Sequence, residues 1–107
     1  MNTKIKKISV IVYCNGNFEE TKKTLYSVMK QDLDKFFYEI IILNDNANKI
    51  FTNHLNNFIK AQELECRLFS LEGYSGLPMS INFLLKNKII NCEYMTIVKS
   101  GDVILSA

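Results

Sequence analysis

The chain has 107 residues, of which 48% are hydrophobic and 22% charged, and its formal net charge is +2. This composition suits an ordinary globular protein, and we expect residues 1–107 to form a single domain. The scattered lysines and the single arginine, Arg67, form no basic stripe, so nothing in the composition indicates nucleic acid as a partner.

Two further features concern the compartment in which the protein works. The three cysteines, Cys14, Cys66 and Cys92, are odd in number and match no zinc spacing, which favours buried thiols in a reducing cytoplasm. No segment approaches the roughly 18 consecutive apolar residues of a membrane span. We therefore expect a cytoplasmic chain that has no membrane span.

The first strand and helix are predicted between residues 8 and 30. The β-branched run ISVIVY, residues 8–13, is typical of a strand that is buried on both faces. Asn17 can cap the following helix, and Glu20 lies at the capping-box position three residues later. This helix is expected to end near Lys30, and its apolar residues recur at helical spacing: Phe18, Leu25, Val28 and Met29.

The second strand and helix follow the same pattern. YEIIIL, residues 38–43, is another run of the kind that is buried on both faces. Asn48 can cap the second helix. One face of that helix is apolar, through Phe51, Leu55, Phe58 and Ile59.

The remaining elements are a third strand, a third helix and a fourth strand. ECRLFSL, residues 65–71, alternates more and predicts a strand nearer the edge of the sheet. After the loop EGYSG, Ser75 or a neighbour caps a helix that tolerates Pro78 in its first turn. EYMTIV, residues 93–98, is the fourth strand, and KSGD ends it. The buried stripe of the third helix is expected to contain Leu77, Ile81, Leu84 and Leu85.

The order β-α-β-α-β-α-β predicts an α/β fold, a Rossmann-like three-layer sandwich with a mainly parallel sheet. In such a sheet, ligands bind at the carboxyl ends of the strands, near the point where the strand order reverses. The segments at those ends are YCNGN, NDNAN, EGYSG and KSGD. The sequence contains neither a dinucleotide-binding nor a P-loop glycine motif.

The segments after the first two strands each allow a structural and a functional interpretation. In the structural interpretation, the segment YCNGN after the first strand forms a turn and a helix cap and nothing more. In the functional interpretation, Tyr13 and Asn15 line the wall of a pocket. In the second, Asp45 lies between Asn44 and Asn46, and the chemistry alone favours a turn. The alternative is a carboxylate that accepts a hydrogen bond from a ligand N–H, such as that of a uracil ring.

The segment after the fourth strand also has two interpretations. Asp102 follows a glycine, as turn residues often do, but it could also ligate a divalent cation that bridges a diphosphate. His54 falls within the second helix, and no base can be paired with Cys14. We therefore assign no catalytic residue.

Taken together, four segments resemble the N-terminal half of a family 2 (GT-A type) glycosyltransferase. ISVIVYCNGNFEETKKTLYSVMKQ is similar to the opening strand and helix of that family, and YEIIILNDNAN to its second strand and acidic turn. GLPMSINFLL is similar to the helix motif G-L-x-x-A-x-N, and CEYMTIVKSGD to the strand that ends in the D-x-D motif. The four segments follow the family's order and cover nearly the whole chain.

The resemblance implies a GT-A type fold and a nucleotide-sugar donor of the UDP type, bound with Mg²⁺ or Mn²⁺. Tyr13 and Asn15 fall where the family contacts the nucleotide. Asp45 falls where the family contacts the base, and Asn46 beside it belongs to the same predicted donor site. Asp102 falls on the last acid of the D-x-D-D segment and is the residue implied for the metal.

Several residues depart from the pattern of the family. Asn44 replaces the first acid of the turn, and Ile81 stands where many members carry an arginine. Lys99 and Gly101 replace the two acids of D-x-D. These changes leave Asp102 alone to serve a metal, or leave Lys99 to neutralise a diphosphate directly.

Two functions remain open from the sequence. The first is the donor-binding portion of a glycosyltransferase, within a longer protein that acts on a glycan, polysaccharide or lipid-linked acceptor. Residues 1–107 are then a partial GT-A domain, because the family's acceptor half and its general base follow this portion. The second is a non-catalytic nucleotide-binding or interaction module derived from the same fold. In either case, the fourth strand is expected to present an exposed sheet edge through which the chain could form an oligomer.

Overall fold

The computed structural model describes residues 6–14, 16–30, 36–45, 48–71, 76–87, 89–90 and 94–101, and strands alternate with helices along them. The elements are β1 (Lys6–Cys14), α1 (Phe18–Met29), β2 (Phe36–Asp45), α2 (Lys49–Ala61), β3 (Arg67–Leu71), α3 (Gly76–Lys86) and β4 (Tyr94–Lys99). All strand pairs are parallel, and the sheet has the order β3-β2-β1-β4. The predicted order of elements and the parallel Rossmann-like sheet are confirmed.

Both predicted asparagine caps are confirmed. The Asn17 side chain accepts a hydrogen bond of 3.1 Å from the backbone N–H of Glu20 at the start of α1. The Asn48 side chain accepts from the N–H groups of Ile50 and Phe51, at 2.8 and 3.2 Å, at the start of α2. Each cap satisfies helix N–H groups that have no partner within the helix. The caps therefore start α1 and α2 directly beyond the carboxyl ends of β1 and β2.

The sheet has a hydrophobic cluster on each face, and β1 and β2 supply both. The cluster on the α1 and α2 face contains Val10, Val12, Cys14, Leu25, Val28, Ile40, Ile42, Phe51, Leu55, Phe58 and Val98. The cluster on the α3 face contains Ile11, Tyr13, Ile41, Leu43 and Leu84. Because successive strand residues point to opposite faces, a strand covered on both sides needs a continuous apolar run. Each fully buried side chain of this size contributes about 1.5–3 kcal/mol.

The edge strand β4 is much less buried than its sequence indicates. Val98 is its one buried residue, and Tyr94, Met95 and Ile97 are 52%, 41% and 38% exposed. The strand pairs with β1 and lies at the edge of the described sheet. β4 is therefore an edge strand of the described sheet, and an oligomer that uses its edge remains a prediction.

One residue of the predicted buried stripe of the third helix is exposed, so that part of the prediction was wrong. Leu84 of α3 is fully buried, but Leu85 is 55% exposed. Consecutive helical residues point about 100° apart, so a helix that turns Leu84 into the core turns Leu85 outward.

Among the described helices, none combines the length and the apolar character that crossing a bilayer requires.

Candidate functional site

The carboxyl ends of β1, β2 and β4 meet at one edge of the sheet. From β1 the chain moves outward to β2 and then to β3, and it returns past β1 to place β4 on the other side. The strand order therefore reverses between β1 and β4, which is where ligands bind in sheets of this type. Tyr13, Asp45 and Lys99 lie at this edge, and Tyr13 is in register with both Leu43 and Lys99.

A cluster of three residues, the Tyr13–Asp45–Gly76 cluster, joins β1, β2 and α3 at this edge. The Tyr13 hydroxyl donates a hydrogen bond of 2.6 Å to Oδ2 of Asp45. The backbone N–H of Gly76, the first residue of α3, donates to the same oxygen at 2.8 Å. Gly76 has a φ of +81°, a conformation that glycine adopts without strain. The carboxylate thus receives charge-assisted hydrogen bonds at the positive end of a helix.

These contacts show how Asp45 is held. Its side chain is only 3% exposed and that of Tyr13 9% exposed. The turn interpretation expects bonds to the neighbouring backbone, whereas these two bonds join residues that are 31 and 32 positions apart. Asp45 is therefore an anchored acceptor at the carboxyl end of β2, one strand away from the strand-order reversal.

Asn44 points to the opposite face of the sheet. Its side-chain amide nitrogen donates to the hydroxyl of Thr52 in α2 at 2.9 Å and to that of Ser70 in β3 at 3.4 Å. The side chain is fully buried, and its Oδ1 has no hydrogen-bond partner among the described residues. Asn44 therefore packs between β2, β3 and α2, whereas its neighbour Asp45 belongs to the cluster.

The end of β4 is fixed to β1 and α1 by hydrogen bonds. The Ser100 N–H donates to the Tyr13 carbonyl at 2.9 Å, and the Ser100 and Thr21 hydroxyls are 2.7 Å apart. The Gly101 N–H donates to the Thr24 hydroxyl at 2.9 Å. These bonds hold Ser100 and Gly101, the two residues that follow β4, against β1 and α1.

Cys14, the last residue of β1, lies beside Thr21 and Ser100. Burial raises the pKa of its thiol to about 12, although hydrogen bonds with Thr21 and Ser100 act in the opposite direction. A protonated, buried thiol is a poor nucleophile. Burial also raises the pKa of Cys66, whose side chain is partly exposed. Cys14 therefore has a packing role at this edge.

The structure brings together part of the predicted donor site. Tyr13 and Asp45 are in direct contact. Asn15, Asn46 and Asp102 lie outside the described residues, so their assignment to the site stays a prediction. The sequence did not predict the part played by the Gly76 N–H. The available signal was a glycine between a strand-end loop and a helix, but that pattern does not identify a partner on another strand.

The described residues at this edge do not fit a divalent cation. No three His, Cys, Asp or Glu side chains among them lie close enough together to hold a metal ion. Lys99 brings an ammonium group to this edge, and Gly101 has no side chain. The Glu20 carboxylate lies near Gly101, since a Cβ built on Gly101 would be 3.5 Å from the Glu20 carboxyl carbon. The predicted metal role of Asp102, which lies outside the described residues, stays a prediction.

A groove of about 1030 Å³ lies elsewhere, between the end of β3 and the outer side of α3. Residues from both elements line it: Ser70, Leu71, Met79, Asn82, Phe83, Leu85, Lys86 and Asn87. None of the cluster residues is among them. The groove is therefore separate from the strand-order reversal, and we do not assign the donor site to it.

Comparisons with known proteins give one consistent likeness. No family model matches the chain, and no curated protein matches it. Among solved structures, residues 1–349 of S. aureus TarS in complex with UDP match with a TM-score of 0.72 and 27% identity, over 92% of this chain and 28% of that one. The complex with UDP-GlcNAc matches with the same TM-score and identity, over 92% of this chain and 27% of that one.

A longer structure of S. aureus TarS matches with a TM-score of 0.69 and 28% identity. The match covers 92% of this chain and 17% of that one, so the chain spans well under a third of each of these neighbours. All three matches involve the N-terminal region of TarS, a GT-A family 2 glycosyltransferase. The resemblance of the chain to the N-terminal half of family 2 (GT-A type) glycosyltransferases is thereby confirmed.

Proposed function

We propose that the chain is the nucleotide-sugar-binding portion of a glycosyltransferase. The observation that carries the proposal is the Tyr13–Asp45–Gly76 cluster, an anchored carboxylate at the carboxyl ends of β1 and β2, beside the point where the strand order reverses. Further support comes from the similar TarS structures, which are complexes with UDP and UDP-GlcNAc. In this proposal Asp45 accepts a hydrogen bond from the N–H of a uracil ring, and Tyr13 lies beside the base.

The proposal also includes an acceptor, which is given only by its chemical class. The longer protein would transfer a sugar from a nucleotide-diphosphate donor to a glycan, polysaccharide or lipid-linked acceptor in the cytoplasm. The resemblance implies that the acceptor site and its general base belong to the portion of the family that follows this one. Donor recognition is therefore the step that this chain can be tested for.

The sharpest test compares two ligands, because a change in the ligand leaves the fold intact. The uracil ring of UDP carries the N–H group that would donate a hydrogen bond to Asp45, and the ring of CDP has an unprotonated nitrogen at that position. Isothermal titration calorimetry is expected to show that UDP binds about tenfold more tightly than CDP, which corresponds to one lost hydrogen bond to a charged group. Equal affinity for the two nucleotides would contradict the role of Asp45.

A substitution in the protein tests the same hydrogen bond. Asp45→Asn is expected to remove the preference for UDP over CDP, whereas Glu63→Gln, at an exposed position beyond α2, should retain it. Asp45 also holds the start of α3, so circular dichroism must show that the variant remains folded. If Asp45→Asn does not remain folded, Tyr13→Phe is the second variant, because this substitution removes one hydrogen bond and keeps the aromatic ring.

The alternative function is a non-catalytic nucleotide-binding or interaction module. The observation that favours it is the pair Lys99 and Gly101, which stand where the family carries its D-x-D acids. The two functions share the donor site and differ in the longer protein. Sugar transfer from UDP-GlcNAc by a chain that continues beyond residue 107 would support the glycosyltransferase, and nucleotide binding without transfer would support the module.

A further inference from the structure

The buried face of α1 changes from apolar to polar at the end where the helix begins, beside β1 and β4. Leu25 and Val28 belong to the hydrophobic cluster on this face of the sheet. Thr21 and Thr24, which lie closer to the start of the helix, are fully buried as well. A buried hydroxyl costs free energy unless it is hydrogen-bonded, whereas an apolar side chain in its place would add to the core. The two threonines therefore point to a role that an apolar side chain could not fill.

Both threonine hydroxyls hold the turn that follows β4, the Ser100–Gly101 turn. The Thr21 hydroxyl lies 2.7 Å from the Ser100 hydroxyl. The Thr24 hydroxyl accepts a hydrogen bond of 2.9 Å from the N–H of Gly101. Gly101 has a φ of +99°, which glycine adopts without strain and which sets the direction of this N–H. Each residue of the turn is thus tied to α1 by one of the two threonines.

Thr21 also connects the Ser100–Gly101 turn to the segment on the other side of the strand-order reversal. Its hydroxyl donates a hydrogen bond of 2.8 Å to the carbonyl of Asn17, the residue that caps α1. The carboxyl ends of β1 and β4 border the crevice in which ligands bind in sheets of this type. Ser100 is partly exposed and Gly101 is exposed, so the buried threonines lie beneath a surface that a ligand can reach.

We infer that Thr21 and Thr24 are positioning residues for the part of the nucleotide that lies beyond the nucleoside. The inference rests on the proposed function, in which the base lies over Tyr13 and Asp45 on β1 and β2. The diphosphate then extends over β1 toward the strand-order reversal, where the Ser100–Gly101 turn lies. The two hydroxyls hold this turn in place before the nucleotide arrives, so binding does not cost the entropy of ordering it.

The test titrates the chain with uridine and with UDP by isothermal titration calorimetry. Mn²⁺ is present throughout, so that the comparison does not depend on how the charge of the diphosphate is neutralised. Thr21→Val and Thr24→Val each remove one hydroxyl and keep the shape of the side chain. Each substitution is expected to weaken the binding of UDP about tenfold and to leave that of uridine unchanged, because the turn must then be ordered on binding.

Two control variants separate positioning from packing. Thr21→Ser keeps the hydroxyl and loses a buried methyl group, so it is expected to lower the free energy of unfolding and to keep the affinity for UDP. Ser27→Ala removes another buried hydroxyl of α1, which donates to the Thr24 carbonyl within the same helix, and it should change neither affinity. Urea denaturation measures the stability of each variant.

A double variant tests the contact between Thr21 and Ser100 directly. Ser100→Ala removes this contact from its partly exposed side, and it takes the place of the valine variants if circular dichroism shows that they do not fold. The variant that combines Thr21→Val with Ser100→Ala should lose no more affinity for UDP than the more affected single variant, because both changes remove the same contact.

Three results would overturn the inference and leave the proposed function standing. The first is that UDP binds the wild-type chain no more tightly than uridine does. The second is that either valine variant keeps its affinity for UDP, or loses affinity for uridine by the same factor. The third is that Thr21→Ser weakens the binding of UDP as much as Thr21→Val does. If neither uridine nor UDP binds the wild-type chain, the proposed function itself is wrong, and the inference is wrong with it.

Discussion

The hydroxyl of Tyr13 and the carboxylate of Asp45 form a buried hydrogen bond of 2.6 Å across two neighbouring strands. Tyr13 is in register with Leu43, two residues before Asp45, so the bond runs diagonally over the end of the sheet. Because both side chains point to the face of α3, the bond links the ends of β1 and β2 on that face.

Removing the Tyr13 hydroxyl is expected to cost stability as well as binding. Tyr13→Phe takes away a charge-assisted bond from a buried carboxylate, so the free energy of unfolding should fall by about 1–3 kcal/mol. Urea denaturation followed by circular dichroism measures the loss. Tyr26→Phe is the matched control, because Tyr26 is 38% exposed and its hydroxyl accepts only a 3.4 Å bond from Gln62. Equal losses in the two variants would contradict the importance of the bond to Asp45.

Restoring an acid at position 44 is expected to destabilise the chain. Asn44 is fully buried between Thr52 and Ser70, so Asn44→Asp places a carboxylate where the described residues offer hydroxyls and no cation. The unfolding free energy should fall by about 1–3 kcal/mol. Asn57→Asp, at an exposed position of α2, should change it by less than about 0.5 kcal/mol. An Asn44→Asp chain as stable as the wild type would show that this pocket accommodates charge.

The thiol of Cys14 is expected to be inert in the folded chain. In a variant with Cys66 and Cys92 changed to serine, a disulfide-exchange reagent at pH 8 should label Cys14 only after denaturation in urea, because the pKa of the buried thiol is about 12. Rapid labelling of the native chain would contradict this burial.

The same thiol is expected to make stability depend on pH. In the unfolded chain the thiol ionises near its ordinary pKa of 9.0, whereas in the folded chain it keeps its proton up to about 12. Above pH 9 the folded state binds more protons than the unfolded state, so the free energy of unfolding should fall as the pH rises. The slope approaches about 1.4 kcal/mol per pH unit for one group. Cys14→Ala should lack this contribution in urea titrations between pH 8 and pH 10.

The exposed edge of the sheet is expected to promote self-association. Ile97 in β4 is 38% exposed, and the large side chains of Tyr94 and Met95 in the same strand are exposed as well. Light scattering after size exclusion should show a mass that rises with concentration, and Ile97→Lys should lower it because a charge blocks edge pairing. Ile50→Lys removes a residue of the same type that is 70% exposed on α2, and it should leave the mass unchanged. A wild-type chain that is monomeric at every concentration would contradict the prediction.

The sequence was sufficient for the features that are set by neighbouring residues. The runs in β1 and β2 are continuous and apolar because both faces of those strands are covered, and Asn17 and Asn48 each cap the helix that begins beside them. Tyr13 and Asp45 could be predicted to lie at one edge, because the carboxyl ends of parallel strands meet there.

The features that depend on distant contacts were harder to predict. One partner of Asp45 is a backbone N–H in another element, and no spacing pattern marks such a contact. The residues of β4 have the composition of a buried strand, but their exposure depends on the position of the strand at the edge of the described sheet. Leu85 fits the helical period and yet lies outside the core, because Leu84 occupies the inward position.

The bond from Asp45 to Gly76 also bears on the order in which the chain folds. The starts of α1 and α2 are capped by Asn17 and Asn48, residues adjacent in sequence, so these helices can begin to form before the sheet exists. The N–H of Gly76 instead binds a carboxylate 31 residues earlier, at the end of β2. We expect α3 to dock late, after β1 and β2 have paired. Substitutions at its start should then mainly accelerate unfolding, whereas substitutions in the first two helices should slow refolding.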